Sequence, residues 1–406
     1  VLRLMLRRRA ARGKEIASRL NERRGLDPTP RPPGRLLWLH AASVGETVSV
    51  LPLLSALAVA APDLTTLMTT GTVTSADLLA RRLPEMGLQQ RVLHRFGPLD
   101  VPAWVGRFLD HWRPDAVGFV ESELWPNQLL ACRNRSIPLM LLNGRVTPRT
   151  QAAWGRAPGL VRHMLAGFTR VQARSEDDAV RLRALGAPVV ETPGDLKYAA
   201  SPLPADPIEL ARLREQLAGR PVWLAASTHA GEEALIAAVH RRLAPSHPGL
   251  LTIIAPRHPD RGADLGHELQ APRRAVGEPP PPEGIWLADT MGELGLWFRL
   301  APVAFVGRSL LPPGGGQNPL EPARLGCAIV VGPHTGNFVE HVALLRAAGG
   351  LVEVPDVDAL SRCVTALLDN EAHRQRMGQH AAAAVQRYAG LPDQVAAALL
   401  ELLPPP

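Results

Sequence analysis

Apolar runs of strand length recur along this chain, each followed by a polar or glycine-bearing turn and then by a segment with helical spacing. Leu36–Ala41 leads through Ser43-Val44-Gly45-Glu46 into an apolar helix pattern over 48–60. Residues 64–69 lead into Thr70-Gly71-Thr72 and a helix reaching Leu83. Ala116–Val120 leads into Glu121-Ser122-Glu123 and a helix near 128–135. Residues 137–142 end at the turn Asn143-Gly144-Arg145, and Arg170–Ala173 precedes Ser175 and a helix ending at Leu185. Short continuous apolar strands alternating with helices predict a parallel sheet covered on both faces.

The pattern breaks into a proline-rich stretch at 194–207 and then restarts. Trp38-Leu39-His40-Ala41-Ala42-Ser43 is echoed by Trp223-Leu224-Ala225-Ala226-Ser227, and each copy is followed by Gly-Glu, at Gly45-Glu46 and at Gly231-Glu232. The second series continues with strands at 250–255, Gly284–Leu287, Val303–Val306 and Ala328–Val331, and with helices over 358–369 and 371–389. The reading is two similar Rossmann-like domains, 36–200 and 201–390, with a basic arm at 1–35 and a tail at 391–406 that packs back on the first domain. Ligands are then expected beyond the carboxyl ends of the strands, in the cleft between two such domains.

A length of 406 residues suits two α/β cores, and a 46% hydrophobic content is enough to fill them. The net charge of +7 suggests nucleic acid until it is located. Residues 1–35 hold eleven basic and three acidic side chains, so that segment is +8 and the remainder −1. A basic segment beside a short apolar cap (Val1, Leu2, Leu4, Met5, Leu6) suits an anionic membrane surface better than RNA or a merely solvated helix. No run approaches the roughly 18 apolar residues of a membrane span. Three distant cysteines form no CxxC and no disulfide framework, which points to a reducing compartment.

The strand-end loops carry the candidate chemistry. In Gly314-Gly315-Gly316-Gln317-Asn318-Pro319-Leu320-Glu321 the glycines admit a ligand close to the backbone. Asn318 reads as an N-cap, Pro319 as N1 and Glu321 as N3, so a nucleotide phosphate can meet free N–H groups while Glu321 accepts from ribose hydroxyls. A plain capping box explains part of the same pattern. Arg257, in Pro256-Arg257-His258-Pro259, can fork onto a phosphate. Met291-Gly292-Glu293 opens another helix, where it can contact a nucleotide or cap the helix. Glu46, at a helix start beside Gly45, can take a proton from a sugar hydroxyl, although a helix N-terminus favours a carboxylate in any case. Only Lys14 and Lys197 interrupt an otherwise all-arginine cation set, which singles out Lys197. Asp356-Val357-Asp358 reads as an N-cap rather than a metal motif, and the histidines show no ligand spacing.

Taken in order, these segments resemble the 3-deoxy-D-manno-octulosonate (Kdo) transferases of Gram-negative lipid A assembly. The resemblance runs through Arg12-Gly13-Lys14-Glu15, HAASVGE (40–46), TTGT (69–72), ESELWPN (121–127), the 143–145 turn and GDLK (194–197). It continues through AAST (225–228), PRHP (256–259), GEL (292–294), NPLEPA (318–323) and GPHTGNF (332–338). It implies a GT-B fold, two Rossmann-like domains facing across a cleft, and metal-independent, inverting transfer of Kdo from CMP-Kdo to a lipid A precursor. By the same resemblance Glu46 matches the general base. Acceptor contacts are expected from Ser43, Gly45, Thr70, Gly71, Thr72, Glu121, Glu123 and Arg145, although Glu121 and Glu123, beside Trp125-Pro126, read equally as helix-entry residues. Donor contacts fall on Lys197, Ser227, Thr228, Arg257, His258, Met291, Gly292, Glu293, Gly316, Asn318 and Glu321. No nucleic-acid partner is implied, and the N-terminal segment is expected on the cytoplasmic face of the bacterial inner membrane. The chain departs from the family's pattern at Arg308, in the longer loop 312–316 and in GDLK. The alternative readings are a sugar-nucleotide epimerase of the same two-domain fold, and a non-enzymatic RNA- or membrane-binding protein.

Overall fold

The computed structural model describes residues 2–405, so Val1 of the expected apolar cap lies outside the described residues. The chain forms two compact units, 1–200 with 388–406 and 201–387. The first holds strands β1 Leu36–Ala41, β2 Thr65–Thr70, β3 Val92–Phe96, β4 Ala116–Val120, β5 Leu139–Gly144, β6 Arg170–Ala173 and β7 Val190–Glu191. The second holds β8 Val222–Thr228, β9 Leu251–Pro256, β10 Gly284–Leu287, β11 Val303–Val306, β12 Ala328–Val331 and β13 Leu351–Glu353.

Every pairing between these strands is parallel. The orders are β3-β2-β1-β4-β5-β6-β7 and β10-β9-β8-β11-β12-β13. Each sheet thus reverses direction of growth at its first strand, between β1 and β4 and between β8 and β11. Such switch points leave a crevice outside the strands' carboxyl ends. Both faces of each sheet are packed, which is why β1 and β8 are buried along their whole length and read as apolar runs.

The two copies of the tryptophan motif occupy the same place in their sheets. On β1 the Trp38 indole donates to Thr69 Oγ1 on β2 at 2.7 Å; on β8 the Trp223 indole donates to Thr252 Oγ1 on β9 at 2.6 Å. The helix after β1 starts at Val44 and runs to Ala60, four residues earlier than its apolar spacing predicts, so Gly45 and Glu46 lie in its first turn. Strands β3, β7 and β13 are absent from the apolar pattern. In β3 the reason is visible: His94 and Arg95 stand where apolar residues would, because this edge strand packs against the N-terminal segment.

That segment is not a separate arm. It forms a helix, Leu2–Ala11, and two short turns, and folds onto the first unit with Leu6 buried. Arg9, Arg19, Arg23, Arg31 and Arg35 are all engaged in ion pairs within that unit. Part of the charge excess therefore serves folding. At the other end the chain re-enters the first unit at Tyr388, and the helix Leu391–Leu400 packs Leu391, Val395, Ala396 and Leu399 into the same core as Val50, Leu53, Leu54 and Leu57.

Candidate active site

In the first unit the loops after β1, β2, β3 and β4 converge on a hollow of about 930 Å³ at the switch point, lined in part by His40, Ser43, Glu46, Gly71, Thr72 and Glu123. Ser43 is the N-cap of the helix Val44–Ala60, with its Oγ accepting from the Glu46 N–H at 3.3 Å. The Glu46 carboxylate turns back over the cap: Oε1 accepts from Ser43 Oγ at 2.8 Å and Oε2 from the Ala42 N–H at 2.7 Å. This is capping-box chemistry, and it holds Glu46 in one orientation. It also leaves acceptor capacity unused, because an ionised carboxylate offers about four lone-pair sites. Burial pushes the Glu46 carboxyl above its usual range. The hydrogen bond from Ser43 opposes that rise, whereas the charges of Glu123 and Glu121 add to it.

Gly71 is explained by close approach. A Cβ there would lie 2.7 Å from the Ala42 carbonyl oxygen, which accepts the Gly71 N–H at 3.0 Å. Beneath this loop sits a buried guanidinium that motif reading missed. Arg23 donates from Nε to Glu15 at 3.0 Å, from Nη1 to the carbonyls of Thr70 (3.2 Å) and Gly97 (3.1 Å), and from Nη2 to that of Gly71 (2.6 Å). Its only sequence signal is its place in a segment read as surface charge.

Glu123 faces His40, whose Nε2 is 3.4 Å away and whose Nδ1 is held by Thr69 Oγ1 at 2.8 Å. Burial raises the Glu123 carboxyl, but the His40 interaction and the Trp125 indole outweigh it and leave the group below its usual range. Glu121 is buried behind the hollow, 2.6 Å from Lys197 Nζ. Lys197 was expected at the donor, yet it belongs to this first unit: Asn143 accepts the Leu196 N–H and donates to Asp195, which fixes the GDLK turn beside β5. Thr70 turns its hydroxyl to His94, while Gly45 and Arg145 are exposed.

In the second unit a hollow of about 870 Å³ opens at the ends of β8 to β11. Ser227, Arg257, Met291, Gly292, Asn318 and Glu321 line it, which brings six of the expected donor contacts together. The capping expected at Asn318 differs in detail. The helix is Leu320–Arg324, preceded by Pro319, and Asn318 Oδ1 accepts from the Leu320 N–H while its amide donates to Glu321 Oε1 at 3.3 Å. Burial raises the Glu321 carboxyl; Asn318 and the charges of Arg324 and Arg257 act against that. Gly314, Gly315 and Gly316 all adopt left-handed φ values, and Cβ atoms on the first two would collide with His334 and Asn337. Chain path and packing thus account for those glycines. Glu293 is tied to Arg274 at 2.8 Å and to the Thr290 hydroxyl, so its carboxylate is already engaged. Thr228 bonds Glu233, and His258 stacks edge-on against His229. Asp356 caps its helix through the Ala359 N–H, as its spacing predicts.

The echo of Glu46 has a different job. Glu232 is 1% exposed, and its two oxygens accept from the N–H groups of His229, Arg308, Ser309 and Leu310 at 2.6–3.0 Å. Every lone pair is used. Glu232→Gln is therefore expected to cost about 2–3 kcal/mol of stability, since an amide cannot accept four N–H donors. Urea unfolding measures this; an unchanged midpoint would show that the loop 308–310 does not depend on the carboxylate.

Residues 18–200 match the family model described as 3-deoxy-D-manno-octulosonic-acid transferase (kdotransferase). A protein of Arabidopsis thaliana described as a probable mitochondrial 3-deoxy-D-manno-octulosonic acid transferase is 36% identical over 91% of this chain and 85% of its own length. The 3-deoxy-D-manno-octulosonic acid transferase of Haemophilus influenzae is 34% identical over 86% of this chain and 82% of its own length. Among solved structures, the UDP-GlcNAc 2-epimerase of Neisseria meningitidis superposes with a TM-score of 0.61, covering 91% of this chain and 100% of that one at 14% identity. A glycosyltransferase of Rickettsia africae gives 0.59 over 91% of this chain and 100% of that one at 12% identity. At such identities the last two show the fold alone.

Proposed function

The chain belongs to the 3-deoxy-D-manno-octulosonic-acid (Kdo) transferase family, and from that premise we propose that it moves Kdo from CMP-Kdo to a lipid A precursor in lipopolysaccharide biosynthesis, with Glu46 as the general base. It is a glycosyltransferase of two parallel-sheet α/β domains. The observation that carries the assignment of the base is the Glu46 carboxylate itself, oriented by two hydrogen bonds, with acceptor capacity to spare and a raised proton affinity, on the wall of the switch-point hollow.

The chemistry follows. As the acceptor oxygen bonds to the anomeric carbon of Kdo, its proton passes to Glu46, and the bond to CMP breaks on the opposite face, inverting that carbon. The negative charge that leaves on CMP falls to Arg257 in the second unit's hollow, while Glu321 suits the ribose hydroxyls. Metal independence is part of the proposal and rests on the chemistry of Arg257, whose guanidinium can fork onto a departing phosphate. The test is direct: purified protein, CMP-Kdo and lipid A precursor in excess EDTA yield a Kdo-bearing lipid by mass spectrometry. Loss of product in EDTA, restored by a divalent cation, would overturn the metal-independent part. Likeness to an epimerase is a likeness of fold; an altered sugar nucleotide formed from donor alone would be needed to favour that activity.

Attachment to the anionic inner-membrane surface fits the helix Leu2–Ala11, where Leu2, Leu4 and Met5 are exposed beside Arg3, Arg7 and Arg8. Among the described residues no helix is long and apolar enough to cross a membrane. Co-sedimentation with phosphatidylglycerol vesicles but not with neutral ones is expected; equal binding to both would reject an electrostatic attachment.

A further inference from the structure

The second unit has another hollow, of about 1100 Å³, lined by residues at the opposite ends of its strands from the donor pocket. Pro221 and Val222, where β8 begins, and Pro302, just before β11, line it. At about 3.3 Å per residue, the length of β8 sets it roughly 20 Å from Ser227. Four arginines line this hollow, Arg214, Arg220, Arg299 and Arg374, against one carboxylate, Glu371.

What distinguishes these arginines is the company they lack. Elsewhere in this unit half-buried guanidiniums meet carboxylates: Arg261 meets Glu233, Arg273 meets Asp289, and Arg274 meets Glu209 and Glu293. None of the four has a carboxylate partner among the described residues. Three are instead fixed by main-chain carbonyls. Arg220 donates to Gly249 (3.1 Å) and Pro281 (2.9 Å), Arg299 to Leu203 (2.6 Å) and Gly295 (2.7 Å), and Arg374 to Leu367 (2.8 Å) and Leu368 (3.1 Å). Each of these uses two of its five N–H groups, so three remain. Arg214 is exposed at the rim.

Like charges held around a concave, partly desolvated surface repel one another, and they concentrate anions by focusing the field. Forks whose positions are set in advance by carbonyls bind a tetrahedral oxyanion at little ordering cost. We propose that this hollow is a second anion site that takes a small phosphate-rich ligand, of the order of a diphosphate, independently of the donor pocket. Its concavity suits a compact polyanion better than a flat bilayer.

The probe is inorganic pyrophosphate, titrated calorimetrically into the full chain. Saturable binding is expected to survive Arg257→Ala, which alters the donor pocket, and to weaken at least tenfold in Arg214→Glu, a rim change that should leave the unfolding midpoint unchanged. Arg214→Lys, which keeps the charge, is expected to retain most of the affinity. Absence of saturable binding, binding that depends on Arg257, or binding indifferent to Arg214→Glu overturns the proposal. So does a result in which Arg214→Glu abolishes binding to phosphatidylglycerol vesicles while pyrophosphate fails to bind, because the hollow would then read a lipid surface.

Discussion

Glu46→Gln is expected to lower kcat for Kdo transfer by about 10²–10⁴-fold, the usual contribution of a general base, while CMP-Kdo affinity is unchanged. The amide keeps the size of the side chain and one accepting oxygen for the Ala42–Ser43 cap, so the fold is expected to persist; what it loses is the ability to take a proton. The pH profile separates this from a structural effect. The base works only when ionised, so the rate is full above the Glu46 pKa and falls as pH drops through it. Burial raises that pKa, with Glu123 and Glu121 adding to the rise, and the inflection therefore lies above the ordinary glutamate value of about 4.3. Glu123→Gln removes one of those charges and should move the inflection to lower pH. Steady-state kinetics across pH checks all three points. A Gln variant that transfers at the parent rate, or that keeps the acid limb, rules Glu46 out as the base.

The largest loss of stability is expected from Arg23→Ala, about 3 kcal/mol, measured by chemical unfolding. Removing one member of a buried ion pair leaves the other charge desolvated, which costs about 3–5 kcal/mol. Here Glu15 keeps a second partner in Arg9 at 3.1 Å, so the lower end applies. The change also strips the carbonyls of Thr70, Gly71 and Gly97 of their donor. Because Gly71 and Gly97 line the hollow that holds Glu46, the KM for the lipid acceptor should rise more than that for CMP-Kdo. A midpoint within about 0.5 kcal/mol of the parent would show the guanidinium to be dispensable.

Much of this was legible in the residues. Fully buried parallel strands write themselves as continuous apolar runs, so β1, β4, β8 and β11, which flank the two switch points, stood out. The turns after them carried the polar residues now found around the hollows. Strand β3 was hidden because His94 and Arg95 face partners from the N-terminal segment rather than a helix. The role of that segment was hidden for the same reason: a buried Arg23 and a half-buried Arg24 look alike until the partners of each are placed. Lys197 shows the limit of motif reading. Its scarcity singled it out, yet the Asn143–Asp195 bond that sets its place joins residues 52 positions apart, which no local pattern announces. In the same way Glu46 and Glu232 share a Gly-Glu pair, and the count of donors around each carboxylate sets them apart.

The return of residues 388–406 to the first unit makes the second unit an insertion within the first rather than a bead after it. Two peptide connections, at 200–201 and at 387–388, tether it. A single nick in either connection leaves both halves joined through the other. Conversely, shortening the chain from its carboxyl end first uncovers the apolar face of the helix Val44–Ala60, the helix that carries Glu46, although the residues removed lie some 350 positions away in sequence.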